Sequence, residues 1–197
     1  HRGPDGHGDW LSENERVGFV HRRLAIIDLS EAAAQPMLGE NGTVISYNGE
    51  IYNYPELRKS LKGTWDFRSQ SDTECILAAY DRYGYDCLEH FRGMFAFAIW
   101  DEKKQRLFCA RDRFGIKPLY YCQLGDIFYF ASEAKALIPF LDEIRTNKSA
   151  LAEYLTFQYT IGEKTLFSGI RQLLPGHALV VENGKVRTFR YWDVSYD

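Results

Sequence analysis

Three pairs of short apolar runs, each pair split by a tight polar turn, dominate the second half of this 197-residue chain. Residues 94–100 and 106–110 flank Asp101-Glu102-Lys103-Lys104-Gln105, and residues 119–123 and 127–131 flank Leu124-Gly125-Asp126. Residues 177–182 and 185–191 flank Asn183-Gly184. Runs of this length and aromatic or β-branched content read as strands, and turns this short join only antiparallel neighbours. The first third adds strand-like runs at 17–20, 24–27 and 43–47. Asn-Gly stands at 41–42, 48–49 and 183–184. It is the strongest short hairpin signal, because both central residues of a type I′ turn take positive φ. The dipeptide alone does not say which of the three turns and which does something else.

Helical patterns alternate with these runs. Asn53 with Glu56 forms one capping-box pattern, followed by Leu57 and Leu61 on one face and a stop near Gly63. Ser71 with Glu74 forms another, followed by Ile76, Leu77, Tyr80 and Tyr83 at helical spacing before Gly84. Ser132 reads as the N-cap of a short helix through Leu137, and a further helix covers about 149–157. With no internal repeat or linker, the chain reads as one domain over 1–197, an α+β fold with mainly antiparallel sheets.

Composition narrows the function classes. A net charge of −3 lacks the basic excess of a nucleic-acid-binding face, and no apolar run reaches membrane-spanning length. Cys75, Cys87, Cys109 and Cys122 are scattered, as are the five histidines, so neither a disulfide framework nor a metal site is expected. Scattered thiols of this kind read as reduced side chains of a cytoplasmic protein. A chain that begins at His1 also reads as a fragment.

Several residues can carry chemistry. Arg23 offers a planar fork for a carboxylate, or else an internal salt bridge with Asp28. Asp72 lies in the first turn of the second helix, where a carboxylate suits the helix dipole and can also receive an ammonium group. Asn48-Gly49 is either a tight turn or a pair of hydrogen-bond donors beside a site.

Eight blocks in order carry a resemblance. They are Arg2-Gly3-Pro4-Asp5, His21-Arg22-Arg23-Leu24-Ala25-Ile26-Ile27-Asp28, Tyr47-Asn48-Gly49-Glu50-Ile51-Tyr52-Asn53 and Ser71-Asp72-Thr73-Glu74. Next come Gly93-Met94-Phe95-Ala96-Phe97, Arg111-Asp112-Arg113-Phe114-Gly115, Ala131-Ser132-Glu133-Ala134-Lys135 and Leu174-Pro175-Gly176-His177. The chain resembles the glutaminase domain of class II glutamine amidotransferases, and within them that of glutamine-hydrolysing asparagine synthetases. The resemblance implies a four-layer αββα sandwich of the N-terminal-nucleophile hydrolase type. It implies L-glutamine as substrate, with Asn48 and Gly49 forming the oxyanion hole and Arg23, Leu24, Ile27, Glu50 and Asp72 lining the substrate site. The nucleophile is expected to be an N-terminal cysteine whose α-amine acts as base, in a segment preceding His1. No metal or cofactor is expected in this domain; ATP and magnesium belong to a following synthetase domain, the implied partner, and a homodimer is possible. Arg2 to Asp5 are expected to shape a pocket wall, Arg111-Asp112 to act as a structural charged pair, and Glu133 and Lys135 to form a solvated helix start. Alternatives are another class II amidotransferase or a non-catalytic pseudo-glutaminase of the kind found in β-lactam-type synthetases.

Overall fold

The computed structural model describes residues 3–195. In chain order its strands and helices are β1 (Gly6–Leu11), β2 (Gly18–Arg23), β3 (Met37–Leu38), β4 (Thr43–Ile51), α1 (Tyr54–Leu61), α2 (Asp72–Tyr83) and α3 (Cys87–His90). They continue with β5 (Gly93–Asp101), β6 (Arg106–Arg111), β7 (Tyr120–Leu124), β8 (Ile127–Ala131), α4 (Lys148–Phe157), β9 (Arg171–Gln172), β10 (His177–Glu182) and β11 (Lys185–Arg190). All three hairpins read from the sequence form, as β5–β6, β7–β8 and β10–β11.

A six-stranded antiparallel sheet, ordered β11-β10-β6-β5-β4-β3, is the centre of the molecule. Alternation along its strands sends one set of side chains to each face. Ile45, Tyr47, Ile51, Phe95, Phe97, Ile99 and Phe108 pack under the helices with Leu57, Leu61, Ile76 and Leu77. Val44, Ala96, Ala98, Trp100, Leu107 and Cys109 pack on the other side against Phe19, Leu119 and Tyr121. The second layer is therefore a sheet as well, split into β1-β2 and β8-β7-β9, with Phe19 edge-on to Phe130 at 5.3 Å between the two parts. Its outer face meets the short turns at 134–136 and 138–140 through Cys122, Leu137 and Ile170. The layer order is helix, sheet, sheet, helical turns: an α+β sandwich. No helix among the described residues is long and apolar enough to cross a membrane.

Four local expectations change. The run at 24–27 is a loop, because Asp5 Oδ2 accepts the Ala25 N–H and draws the chain away as β2 ends at Arg23. The strand expected over 43–47 runs on through Asn48-Gly49 to Ile51. Asn53 does not box with Glu56: its side-chain amide bridges the His90 carbonyl and the Arg92 N–H, pinning the start of α1 to the chain before β5. Near Ser132 there is only a turn of 3-10 helix at Ala134–Ala136, whose preceding residue, Glu133, makes no side-chain cap.

Candidate functional site

β4 positions the site, and its outer edge explains how. β3 is two residues long and pairs only with Val44 and Ile45, so residues 46–51 have no strand beyond them. In an antiparallel ladder alternate residues turn their N–H groups to opposite sides. Tyr47 N–H turns outward and donates to Gln35 Oε1 at 2.7 Å; Ile51 N–H does the same to Asp72 Oδ2 at 2.9 Å. Gly49 lies between them in the same phase. Its opposite number on β5, Phe95, directs its own N–H and carbonyl the other way, to Asp112. The Gly49 N–H therefore points out of the sheet edge, and no acceptor among the described residues takes it.

Asn48-Gly49 is thus no hairpin turn. Only glycine fits at 49, since a Cβ there would lie 2.2 Å from the Met94 carbonyl oxygen and 2.7 Å from Phe95 Cα. The turning Asn-Gly steps are the other two: Asn41 and Gly42 take φ of 63° and 78°, and Asn183 and Gly184 take 51° and 72°. Ser46, Asn48 and Glu50 share the face of β4 turned to the second layer, where Ser46 Oγ meets His21 Nδ1 of β2 at 3.1 Å. The side chains of Asn48 and Glu50 are half-buried there and make no hydrogen bond among the described residues.

Arg23 follows His21 on the same face of β2. Its Nη1 donates to the Ser30 carbonyl at 3.0 Å and its Nη2 to the Asp28 carbonyl. No carboxylate among the described residues pairs with it, so the ion pair with Asp28 does not form. The Asp28 carboxylate instead accepts from Gln70 N–H at 2.7 Å and Ser30 N–H at 2.9 Å, and the Ser30 side chain, then these N–H groups, hold it below its usual range. A relay results: Arg23 grips the Asp28 backbone, and Asp28 grips the segment two residues before Asp72. Leu24 is exposed and Ile27 half-buried in the loop that this relay folds. Gly3 packs against the Arg22 backbone, and Asp5 N–H donates to the Arg23 carbonyl at 3.0 Å, so this segment braces the arginine; Arg2 lies outside the described residues.

Asp72 opens α2. Ser71 caps the helix by accepting the Thr73 N–H, but the expected reciprocal Glu74 bond is absent. Glu74 turns away to accept from Trp65 Nε1, Arg68 N–H, and the N–H and hydroxyl of Ser69. Asp72 is 5% exposed, and its Oδ2 accepts from the Tyr47 hydroxyl at 2.8 Å as well as from Ile51 N–H. Burial raises its pKa, against the pull of these donors. Burial, helped by the Arg23 charge, lowers His21 to about 4, so the imidazole is neutral near pH 7. Sequence reasoning passed over Tyr47, Gln35 and the relay role of Asp28. Tyr47 was legible only as the aromatic before Asn48, and its reach to Asp72 spans 25 residues of chain.

The remaining polar motifs are architectural. Arg111 donates to the carbonyls of Gly115, Lys117 and Leu173, and Asp112 accepts four N–H groups, from Phe95, Phe114, Ile116 and Lys117. Each therefore serves the backbone rather than the other. Glu133 and Lys135 form an ion pair at 3.0 Å. All four cysteines are buried free thiols, with burial raising each pKa, that of Cys75 to about 12.

The β4 edge thus carries an outward backbone N–H, an adjacent carboxamide and a buried carboxylate, while Arg23 is tied through Asp28 to the segment before that carboxylate; these are donors and charges of the kind an amino acid and its amide can use. The glutamine amidotransferase domain family matches residues 1–192, and the chain belongs to it. Over 192 residues it is 43% identical to glutamine-hydrolyzing asparagine synthetase 1 of Bacillus subtilis (strain 168), covering 96% of this chain and 30% of that protein. It is 38% identical over 198 residues to Amidase chry2 of Gibberella zeae, covering 100% of this chain and 29% of that one. The chain thus spans about a third of the length of these relatives. Among solved structures, glutamine phosphoribosylpyrophosphate amidotransferase from B. subtilis superposes with a TM-score of 0.63 at 22% identity, over 89% of this chain and 35% of that one, a likeness of fold.

Proposed function

We propose that residues 1–197 form the glutamine-binding body of a glutaminase domain that supplies ammonia within an asparagine synthetase. The observation that carries this reading is the Gly49 N–H, held outward between two N–H groups whose acceptors are Gln35 and Asp72. Arg23 receives the substrate carboxylate through the N–H groups not spent on Asp28 and Ser30. Asp72 receives the ammonium. The side-chain amide then lies along β4, where Gly49 N–H and the Asn48 amide donate to the oxygen that gains charge as the carbonyl is attacked. Leu24, Ile27 and Glu50 line the same site.

The chemistry needs a thiolate that adds to the amide carbon, expels ammonia and leaves a glutamyl thioester, which water cleaves to glutamate. None of the four cysteines suits this step, since burial keeps each of them protonated. The nucleophile is therefore supplied from outside these 197 residues, and ATP and magnesium act in the synthetase domain that uses the ammonia. Calorimetry with L-glutamine on the protein, on Arg23→Ala and on Asp72→Asn tests the site. Loss of binding in both variants is expected, and equal binding by all three would remove the assignment. The similarity to Amidase chry2, which is not named as an asparagine synthetase, favours a second reading: the glutaminase domain of another class II amidotransferase.

A further inference from the structure

We propose that Tyr47 is a positioning residue for the substrate, its buried hydroxyl 2.8 Å from Asp72 Oδ2 aiming that carboxylate at the incoming ammonium group. The inference rests on the glutamine reading above and adds a residue to it. Two groups on β4 donate to Asp72 Oδ2, the Ile51 N–H and the Tyr47 hydroxyl. The first belongs to the backbone, so the hydroxyl is the side-chain part of the grip. Tyr47 is itself fixed three ways. Its N–H is held by Gln35, its ring is 4% exposed under the helices, and a Cβ at position 49 would lie 3.0 Å from its Cε2. One residue therefore braces the strand segment that presents the Gly49 N–H, through its backbone, and orients the carboxylate that takes the other end of the substrate, through its hydroxyl.

The electrostatics have the sign this role needs. Burial, with the nearby charge of Asp72, keeps the phenol protonated and so a donor. Burial also raises Asp72, and the Ile51 N–H and the hydroxyl oppose that rise. Glu50, on the opposite face of β4, also acts on Tyr47 through its charge, and beside Asp72 lies Cys75 on α2, which burial keeps a neutral thiol and which in turn feels Arg58 of α1. Without the hydroxyl, Asp72 keeps one donor from β4 and takes up a proton at higher pH.

Tyr47→Phe keeps the ring and removes only the oxygen. Carboxyl-carbon NMR titration of Asp72 in the two proteins, with glutamine calorimetry from pH 5 to 8, tests the proposal, and Asp72→Asn provides the reference. The expected result is an upward move of the Asp72 titration in Tyr47→Phe, a parallel upward move of the acid limb of binding, and about tenfold weaker binding at the lower end of that range. If wild-type protein binds glutamine, Asp72→Asn does not, and Tyr47→Phe titrates and binds like wild type, the positioning role falls while the glutamine reading stands. If the titration moves and binding does not, the carboxylate is not the ammonium's partner and the proposal falls. If wild-type protein does not bind glutamine, both fall.

Discussion

Replacing Gly49 by alanine tests how tightly the strand edge is built. Two costs apply, and the molecule carries an internal control for each. Gly49 has φ +155°, where side chains are strained, and its added Cβ would lie 2.2 Å from the Met94 carbonyl. Gly63, after α1, has φ +91° with nothing within 4 Å of an added Cβ, so Gly63→Ala carries the dihedral cost alone. Gly93 has no positive φ, but its Cβ would meet the Glu50 carbonyl at 2.1 Å, so Gly93→Ala carries the collision alone. Dihedral strain is worth about 1–2 kcal/mol and forced overpacking about 1–3 kcal/mol or more. Gly49→Ala should therefore lose about 2–5 kcal/mol, a large share of the roughly 5–15 kcal/mol that holds an ordinary domain together. Urea unfolding of the four proteins reads this directly. With a slope of about 2.5 kcal/mol per molar urea, the Gly49→Ala midpoint falls by roughly 1.5 M and the Gly63→Ala midpoint by about 0.5 M. Equal midpoints for those two variants would refute the close approach of β4 and β5 on which the outward Gly49 N–H depends.

Three further outcomes follow from the same geometry. Asp112→Asn exchanges an acceptor of four N–H groups for an amide that presents one acceptor oxygen, and should cost about 3 kcal/mol or more by denaturant titration with the secondary structure unchanged; a loss under 1 kcal/mol would contradict its bracing role. His21 adds a pH dependence. Its folded pKa near 4 lies below the unfolded 6.5, so as pH falls below 6.5 the unfolded chain gains a proton that the folded one refuses. That costs about 2 kcal/mol at pH 5 and about 3 kcal/mol by pH 4. His21→Gln should lose less stability than wild type between pH 7 and 5, and parallel losses would show the ring is not desolvated. These 197 residues alone should release no ammonia from glutamine in a coupled glutamate dehydrogenase assay; turnover would mean that one of the four buried thiols is active after all.

The hairpins were legible because their information is local. A polar turn between alternating runs constrains only its neighbours, and β5–β6, β7–β8 and β10–β11 follow from it. Arg23 and Asp72 stood out as charges in need of partners, one beside an apolar run and one at a helix start, but the partners themselves, the Asp28 and Ser30 carbonyls for the first and Tyr47 and Ile51 for the second, did not. What stayed hidden is set by partners distant in sequence. Nothing near Asn53 says that its amide will serve residues 90 and 92, and nothing near Glu74 says that it will satisfy the segment before α2 instead of its own cap. Composition made 24–27 look like a strand, but the Asp5 carboxylate, 20 residues upstream, takes the Ala25 N–H.

The second Asn-Gly step shows the same division at the site itself. By local rule it is a turn, as at 183–184, where both residues take positive φ. At 48–49 the rule loses to nine consecutive pairings between β4 and β5, which hold the dipeptide extended. The glycine is then retained for the space it leaves beside Met94 and Phe95 rather than for a bend. An Asn-Gly step that does not turn, on a strand edge whose flanking N–H groups are both occupied, leaves one donor facing outward and one carboxamide beside it. In the proposed function that pair acts on the substrate, and it is available to do so only because the sheet has overruled the local preference.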